Sequence, residues 1–399
     1  MTVHGTTAPE FEALRDAFGE GQASDSGGAQ LCVYAHGRKV VDLWTGRDSV
    51  NDRPYTDETL TLCFSVSKGA AATMAHMLAE RGLLDFDAPV AAYWPAFAAN
   101  GKAEITVGDV LAHRAGLSSF DPDSWIAIGD LGDWEACVGA LAAMRPLWAP
   151  RSAFSYHAIT YGFLVGELIR RITGKMPGDF FAEEIARPLG LDLWIGLPAR
   201  EETRVAPFYS ERAGLSVEQM TGLLGALGID TATRHARATL KTLADMSEGL
   251  AFLNSREGHA AQIPAANMIG TAAALARMYA ATIGEVDGVR LLKPETVSRA
   301  TRFEIDGLNA PEGFAKIPMM SPHRYGLGYQ LTRSAAPMLG EGSFGHDGAG
   351  GRLGFAHPES GIAVGYVCNN MKWDGMTGPD ERWVPWTKAL REAIGIAPG

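Results

Sequence analysis

Leu60-Thr61-Leu62-Cys63-Phe64 is a short apolar, strand-like run, and it ends on Ser65, where a helical pattern begins at once. This junction restricts the chain more than any other stretch. From Gly69 onward Met74, Met77, Leu78 and Arg81 recur at helical spacing, and Gly82 is placed to end the helix. The pattern predicts a helix over 68–81 with Ser65 in its first turn. N–H groups there lack intrahelical acceptors and sit at the positive end of the helix dipole, which suits a developing oxyanion. Lys68 follows three residues later, so its amine and the Ser65 hydroxyl share one face. In such a Ser-x-x-Lys arrangement a lysine held neutral by burial and nearby positive charge can take the serine's proton. Alone, the tetrapeptide fits equally well a helix N-terminus with an exposed lysine, so its partners decide.

Composition excludes several function classes. The net charge of -11, with acidic and basic residues scattered and no Lys/Arg run, argues against nucleic acid or an anionic membrane as partner. Met1 to Gly28 is polar and acidic, without the basic start and apolar stretch of a signal peptide, and no run is long and apolar enough to span a bilayer. A cytoplasmic protein is expected. Cys32, Cys63, Cys137 and Cys368 are unclustered and read as reduced, buried thiols, with Cys63 a packed strand residue and not a nucleophile. There is no His-x-x-x-His or Cys-x-x-Cys pair, no glycine-rich nucleotide motif and no Gly-x-Ser-x-Gly elbow, so no metal and no cofactor is expected.

Read in order, Phe11, Leu14 and Phe18 share a helical face, and Gln30–Ala35 and Lys39–Thr45 flank a His36-Gly37-Arg38 turn as an antiparallel hairpin. The run ending at Phe64 is a third strand. Helices are then predicted at 68–81, 106–112, 133–144, 159–173, 177–187, 216–226, 237–253 and 271–283. Strands return at Tyr325–Leu331, after Gly342 to Gly345, at Gly354–His357 and at Ile362–Cys368, and a last helix begins near Pro385. The expectation is an α+β fold (α/β plus all-α): an antiparallel sheet flanked by N- and C-terminal helices, with a large helical insertion. Residues 1–80 and 284–399 would form the sheet domain and 81–283 a mainly helical one, with the active site at their junction. A helical surface of this size can support a homodimer, although nothing in the sequence compels one.

Two further stretches combine unusual chemistry with such a junction. Pro150-Arg151-Ser152-Ala153-Phe154-Ser155-Tyr156-His157-Ala158 precedes a well-marked helix. The Tyr156 hydroxyl can pass protons between a nucleophile and a leaving group, provided cations lower its pKa from about 10. Gly345-His346-Asp347-Gly348-Ala349-Gly350-Gly351 is glycine-dense, allowing close approach of backbone to substrate, and an amide near Ala349 can be a second oxyanion donor beside the Ser65 N–H. Read singly, Tyr156 is a core tyrosine and the loop a bulged hairpin.

Together the three stretches resemble the serine beta-lactamase and penicillin-binding-protein superfamily, in the class C-like branch that includes family VIII carboxylesterases. The likeness runs roughly from Gln30 to Asn370. Ser65-Val66-Ser67-Lys68 matches that family's nucleophile and base motif, Tyr156-His157-Ala158 its tyrosine motif, and His346-Asp347-Gly348 its third motif, which is Lys-Thr-Gly in most lactamases. Further matches are Ile105-Thr106-Val107 through His113-Arg114-Ala115-Gly116-Leu117, with His113 read as bracing its loop, and Arg187-Pro188-Leu189-Gly190-Leu191. The resemblance implies a beta-lactamase/transpeptidase-like fold and an acyl-enzyme on Ser65, with Lys68 and Tyr156 moving protons. It also implies Ser65 and Ala349 amides at the oxyanion, and His346 and Gly348 at the substrate.

The departures from the family pattern bear on the substrate. Ala158 stands where lactamases carry an asparagine, and His346, partly charged near neutrality, replaces the lysine that would hold a lactam carboxylate. His346 is expected to hydrogen-bond Tyr156 or the leaving side, and Asp347 to orient the loop. A carboxylesterase acting on a small ester with short-to-medium acyl chains is therefore expected. A weak beta-lactamase, a D-amino-acid amidase, an acyltransferase and an inactive binding protein of the same fold are the alternatives. Trp44, Trp148, Trp194, Trp373, Trp383 and Trp386 supply candidate pocket walls, and Trp373–Trp386 reads as an ordered loop near an opening.

Overall fold

A computed structural model describes residues 2–211, 216–317, 323–373 and 378–396 of the chain. The strands that position the site are β1 His4–Thr7, β2 Ala29–Ala35, β3 Arg38–Thr45, β4 Thr61–Leu62, β5 Leu193–Ile195, β6 Met268–Gly270, β7 Gln330–Leu331, β8 Phe344–Gly348, β9 Arg352–His357 and β10 Ile362–Cys368. The helices that matter most are α1 Ala13–Gln22, α2 Ser67–Glu80, α3 Thr160–Thr173, α4 Ala272–Ile283 and α5 Val384–Ala393.

The hairpin that opens the sheet forms because His36 and Gly37 both accept positive φ, 49° and 77°, giving a tight turn whose twist matches that of its strands. Strands from the two ends of the chain then combine into one antiparallel sheet in the order β1-β3-β2-β10-β9-β8-β7. Alternation along β2 assigns its faces: Leu31 and Val33 join Phe11, Leu14, Phe18, Trp383, Trp386 and Leu390 in one core. Cys32 and Tyr34 face the other core, with Leu275 and Tyr279. Accordingly α1 and α5 pack together on the first face, while α4 covers the second along β2, β9 and β10. Gly354 and Gly365 lie opposite each other in the β9/β10 ladder, where a Cβ on Gly365 would sit 2.3 Å from the Ala272 carbonyl oxygen. The paired glycines let α4 rest directly on the sheet. A domain division at residue 283 would cut this helix from the surface it covers.

Several sequence expectations change. The run ending at Phe64 does not enter the large sheet; β4 pairs with β6 in a small sheet ordered β4-β6-β5, both edges of β2 being taken by β3 and β10. The helix expected at 237–253 is two, Arg234–Ala244 and Met246–Leu253, broken at Asp245, whose carboxylate accepts from Trp125 Nε1 at 2.5 Å. In 177–187 a π turn, Ala182–Ala186, separates Pro177–Phe181 from Arg187–Leu189. Tyr325–Leu331 shortens to β7, because Tyr325 turns back to bridge Gln330. Trp386 is a core residue between α5 and the sheet; Trp383, equally buried, also lines a cleft beside Met338 that contains none of the candidate site residues, and residues 374–377 of the expected loop lie outside the described residues.

The four cysteines are free and buried, and burial pushes the Cys63 thiol up to about 12. Burial acts oppositely on histidines, holding His76 and His235 down to about 4 and His157 and His346 down to about 3. These groups bind fewer protons folded than unfolded, so the stability they permit is complete above about pH 6.5 and is lost as pH falls from there toward their folded values. The urea midpoint is therefore expected to fall between pH 7 and pH 5, before most carboxylates titrate. A midpoint that stays level over that interval would contradict the burial of these rings.

Candidate active site

The apolar strand β4 leads into a 3-10 turn, Phe64–Val66, that runs directly into α2, so Ser65 sits half-exposed at the mouth of the helix. Phe64 has φ +49°, a region non-glycine residues seldom adopt. It is pinned there by its surroundings. The ring meets Phe208 edge-on with centroids 4.9 Å apart, and Ser67 Oγ donates to the Phe64 carbonyl while accepting from the Met268 N–H at 3.0 Å.

Lys68 is fully buried and its Nζ lies 3.3 Å from Ser65 Oγ, 2.7 Å from the Ala158 carbonyl and 2.9 Å from the Ala265 carbonyl. Burial holds the amine well below the ordinary lysine value, with Asp347 opposing the shift. A neutral amine has two N–H groups and one lone pair. Two carbonyls, which can only accept, take the two N–H groups, and the lone pair is left for the Ser65 hydroxyl.

Tyr156 places the face of its ring 4.7 Å from Lys68 Nζ. Its hydroxyl is buried and has no hydrogen-bond partner among the described residues. Burial raises this phenol well above its usual range, and the nearby Ser65 side chain only partly opposes the rise. The expectation that cations lower it is corrected: burial outweighs them and the phenol stays neutral. Its position is set by histidines. His157 donates from Nδ1 to the Ser155 carbonyl at 2.7 Å and accepts the Leu117 N–H on Nε2 at 3.1 Å, while its own backbone N–H donates to His113 Nδ1 at 3.1 Å. His113, buried among Tyr156, Tyr161 and Tyr325, thus braces its loop against the tyrosine segment.

The third stretch lies on β8, which packs against the Ser65 turn; a Cβ on Gly348 would fall 2.4 Å from the Cys63 carbonyl oxygen, so only glycine permits this approach. Two expectations for His346 are corrected. Burial holds it neutral, at about 3, and its partner is not Tyr156: Nδ1 donates to the Asp347 carbonyl at 2.5 Å and Nε2 accepts from the Tyr325 hydroxyl at 3.0 Å. Asp347 is paired with Arg333 at 2.7 Å. Ala349 is exposed at the tip, and among the described residues its N–H has no acceptor. Ser65, Lys68, Tyr156, His346, Gly348 and Ala349 thus converge on one place. Sequence reasoning passed over Tyr325 and Arg333, which carry no motif, and the Ala265 carbonyl, which no side-chain pattern can announce.

Among the described residues no cluster of three or more His, Cys, Asp or Glu side chains is arranged to hold a metal ion, and no helix is long and apolar enough to cross a membrane. A recess of about 30 Å³ adjoins Ala158, walled by Phe120, Trp125, Ile126 and Ile159. Two larger clefts, about 270 and 460 Å³, open near the C-terminal helix beside Met338 and Leu339 and contain none of the converging residues.

An antiparallel sheet with a half-exposed serine and a buried lysine in a Ser-x-x-Lys pair at the start of a helix defines a class of acyl-transferring serine enzymes. A family model described as beta-lactamase matches residues 14–384, and the chain belongs to that family. It is 37% identical over 376 residues to the esterase/beta-lactamase LipL of Mycobacterium tuberculosis, covering 92% of this chain and 83% of that protein. The crystal structure of a family VIII carboxylesterase superposes with a TM-score of 0.83 at 32% identity, covering 98% of this chain and 100% of that one. A penicillin-binding protein homologue from Caulobacter crescentus gives 0.80 at 32%, again with 98% and 100% covered.

Arginine stays protonated at any working pH, so Lys68→Arg puts a permanent cation at the site and removes the lone pair. The variant is expected to lose at least about 10³-fold in kcat/KM, and the wild-type acid limb to lie far below the ordinary lysine range, with activity falling as pH drops through it. A Lys68→Arg enzyme retaining a tenth of wild-type activity would show that the amine's charge, not its lone pair, is needed.

Proposed function

We propose that the chain is a serine carboxylesterase that cleaves small esters through an acyl-enzyme on Ser65. One observation carries the reading: a buried amine within 2.7 and 2.9 Å of the Ala158 and Ala265 carbonyls and 3.3 Å of Ser65 Oγ, an arrangement in which the uncharged amine donates to the two carbonyls and turns its lone pair toward the serine. Ser65 Oγ attacks the ester carbonyl carbon while its proton passes to Lys68 Nζ. The negative charge on the former carbonyl oxygen is met by the Ser65 and Ala349 N–H groups. Collapse of the adduct breaks the bond to the alkoxy oxygen, which takes a proton relayed through the Tyr156 phenol from Lys68, and the alcohol leaves. Water then attacks the acyl-enzyme, giving up a proton along the same route, and the acid departs as Ser65 is regenerated.

The surroundings support an ester over a charged lactam. His346 is neutral and Arg333 is occupied by Asp347, so neither offers a carboxylate a free cation. Ala158 presents no side-chain amide to a lactam. The four free, buried thiols support a cytoplasmic location. LipL is described as an esterase/beta-lactamase, which gives lactam opening as the second reading.

Initial rates on a short-chain p-nitrophenyl ester and a chromogenic cephalosporin separate the two. Rapid ester turnover is expected, absent in Ser65→Ala, with the cephalosporin opened far more slowly. Tyr156→Phe is expected to slow acylation by about 10²-fold. A Ser65→Ala protein that still turns over the ester would end the assignment, and comparable efficiency on both substrates would favour the lactamase reading.

A further inference from the structure

Arg352 is completely buried at the start of β9, yet among the described residues no carboxylate pairs with it. Its neighbours Cys63, Cys368 and Tyr55 are all held neutral by burial, and the nearby Arg382 is paired with Asp25 and Asp380. The guanidinium therefore carries an uncompensated charge in a low-dielectric interior, a state that is retained only where geometry holds it. Its contacts supply that geometry. Nε donates to the Leu62 carbonyl at 3.2 Å, in the strand that delivers Ser65, and Nη1 donates to the Ala349 carbonyl at 2.9 Å, in the loop tip on the other side. The guanidinium carbon lies 4.9 Å from the centroid of the Phe64 ring, the residue with positive φ immediately before Ser65. Nη2 has no partner among the described residues.

We propose that Arg352 is the positioning residue of the oxyanion hole: bridging the Leu62 and Ala349 carbonyls, it fixes the Ser65 and Ala349 N–H groups relative to each other and sets a positive charge behind them. The inference rests on the assignment of Ser65 as nucleophile. Lysine preserves the charge but lacks the planar fork that reaches both carbonyls, and methionine preserves the length alone.

The test compares wild type, Arg352→Lys and Arg352→Met in three measurements: labelling of Ser65 by a fluorophosphonate, followed by peptide mass spectrometry; kcat and KM on one p-nitrophenyl ester; and inhibition by an aryl boronic acid, whose adduct on serine is a tetrahedral anion. The expected result is that Ser65 is labelled in wild type and that Arg352→Met loses about 10²-fold in kcat, with KM within about threefold of wild type. Boronate affinity should weaken in parallel with kcat/KM, and Arg352→Lys should fall between. Arg352→Met that folds and binds the boronate as tightly as wild type would overturn the proposal, as would a change confined to KM. Should Arg352→Met fail to fold, Arg352→Lys decides: undiminished kcat and boronate affinity there overturn the proposal equally. Absence of label on wild-type Ser65 would instead strike the nucleophile assignment.

Discussion

The burial of one amine organises the active site. An ammonium carried into an apolar interior loses its hydration, and among the described residues two carbonyl oxygens, the Ser65 hydroxyl and the face of the Tyr156 ring replace it only in part, with no carboxylate in direct contact. Shedding the proton removes that penalty and leaves an amine that fits its surroundings: two donors, two acceptors, and a lone pair toward Ser65. The Ala158 carbonyl comes from the segment that carries Tyr156, and the Ala265 carbonyl from the residues that lead into β6. Holding Lys68 in place therefore requires segments far apart in the chain to meet at one nitrogen. The His113–His157 brace and the Ser67–Met268 hydrogen bond keep those segments where the amine needs them.

Strain and close approach do the rest. Phe64 occupies a left-handed conformation that costs on the order of 1–3 kcal/mol and persists only when surrounding contacts over-determine it. Those contacts are the Phe208 ring, the Arg352 guanidinium and the Ser67 hydroxyl. Gly348 lets β8 come against the same turn, which brings the Ala349 tip beside the mouth of α2. The sheet contributes as a rigid frame: α4 lies on the Gly354–Gly365 seat, and α1 and α5 close the opposite face.

What was legible in the sequence was what depends on near neighbours. The Ser65–Lys68 spacing, the His36-Gly37 turn and the Gly174 end of α3, with φ +71°, are local facts that any tertiary context must respect. The motif stretches containing Tyr156, His346 and Gly348 lie near the Ser65 turn, as their combination in the sequence led one to expect. What failed depended on distant partners. The strand before Ser65 pairs with β6, more than half the chain away, and its own pattern says nothing of which sheet it joins. The charge of His346 follows from its burial, which is invisible in a loop full of glycines, and the acidity of Tyr156 from the burial of its hydroxyl. The helix break at Asp245, whose carboxylate accepts from Trp125 across the fold, carries no Gly or Pro signal in the local sequence. Arg352, following three small residues after a motif glycine, looks like an exposed hairpin residue until its burial is seen.

The most direct test of this account is the protonation state of Lys68 itself. Carbon-13 NMR of protein labelled at lysine Cε, with the Lys68 signal assigned by its loss in Lys68→Arg, reports whether the amine is charged. The account predicts a neutral-amine shift at pH 7.5 and a titration midpoint well below the ordinary lysine value of about 10.4. A Lys68 signal that remains that of an ammonium at pH 7.5 and titrates with the surface lysines would contradict it.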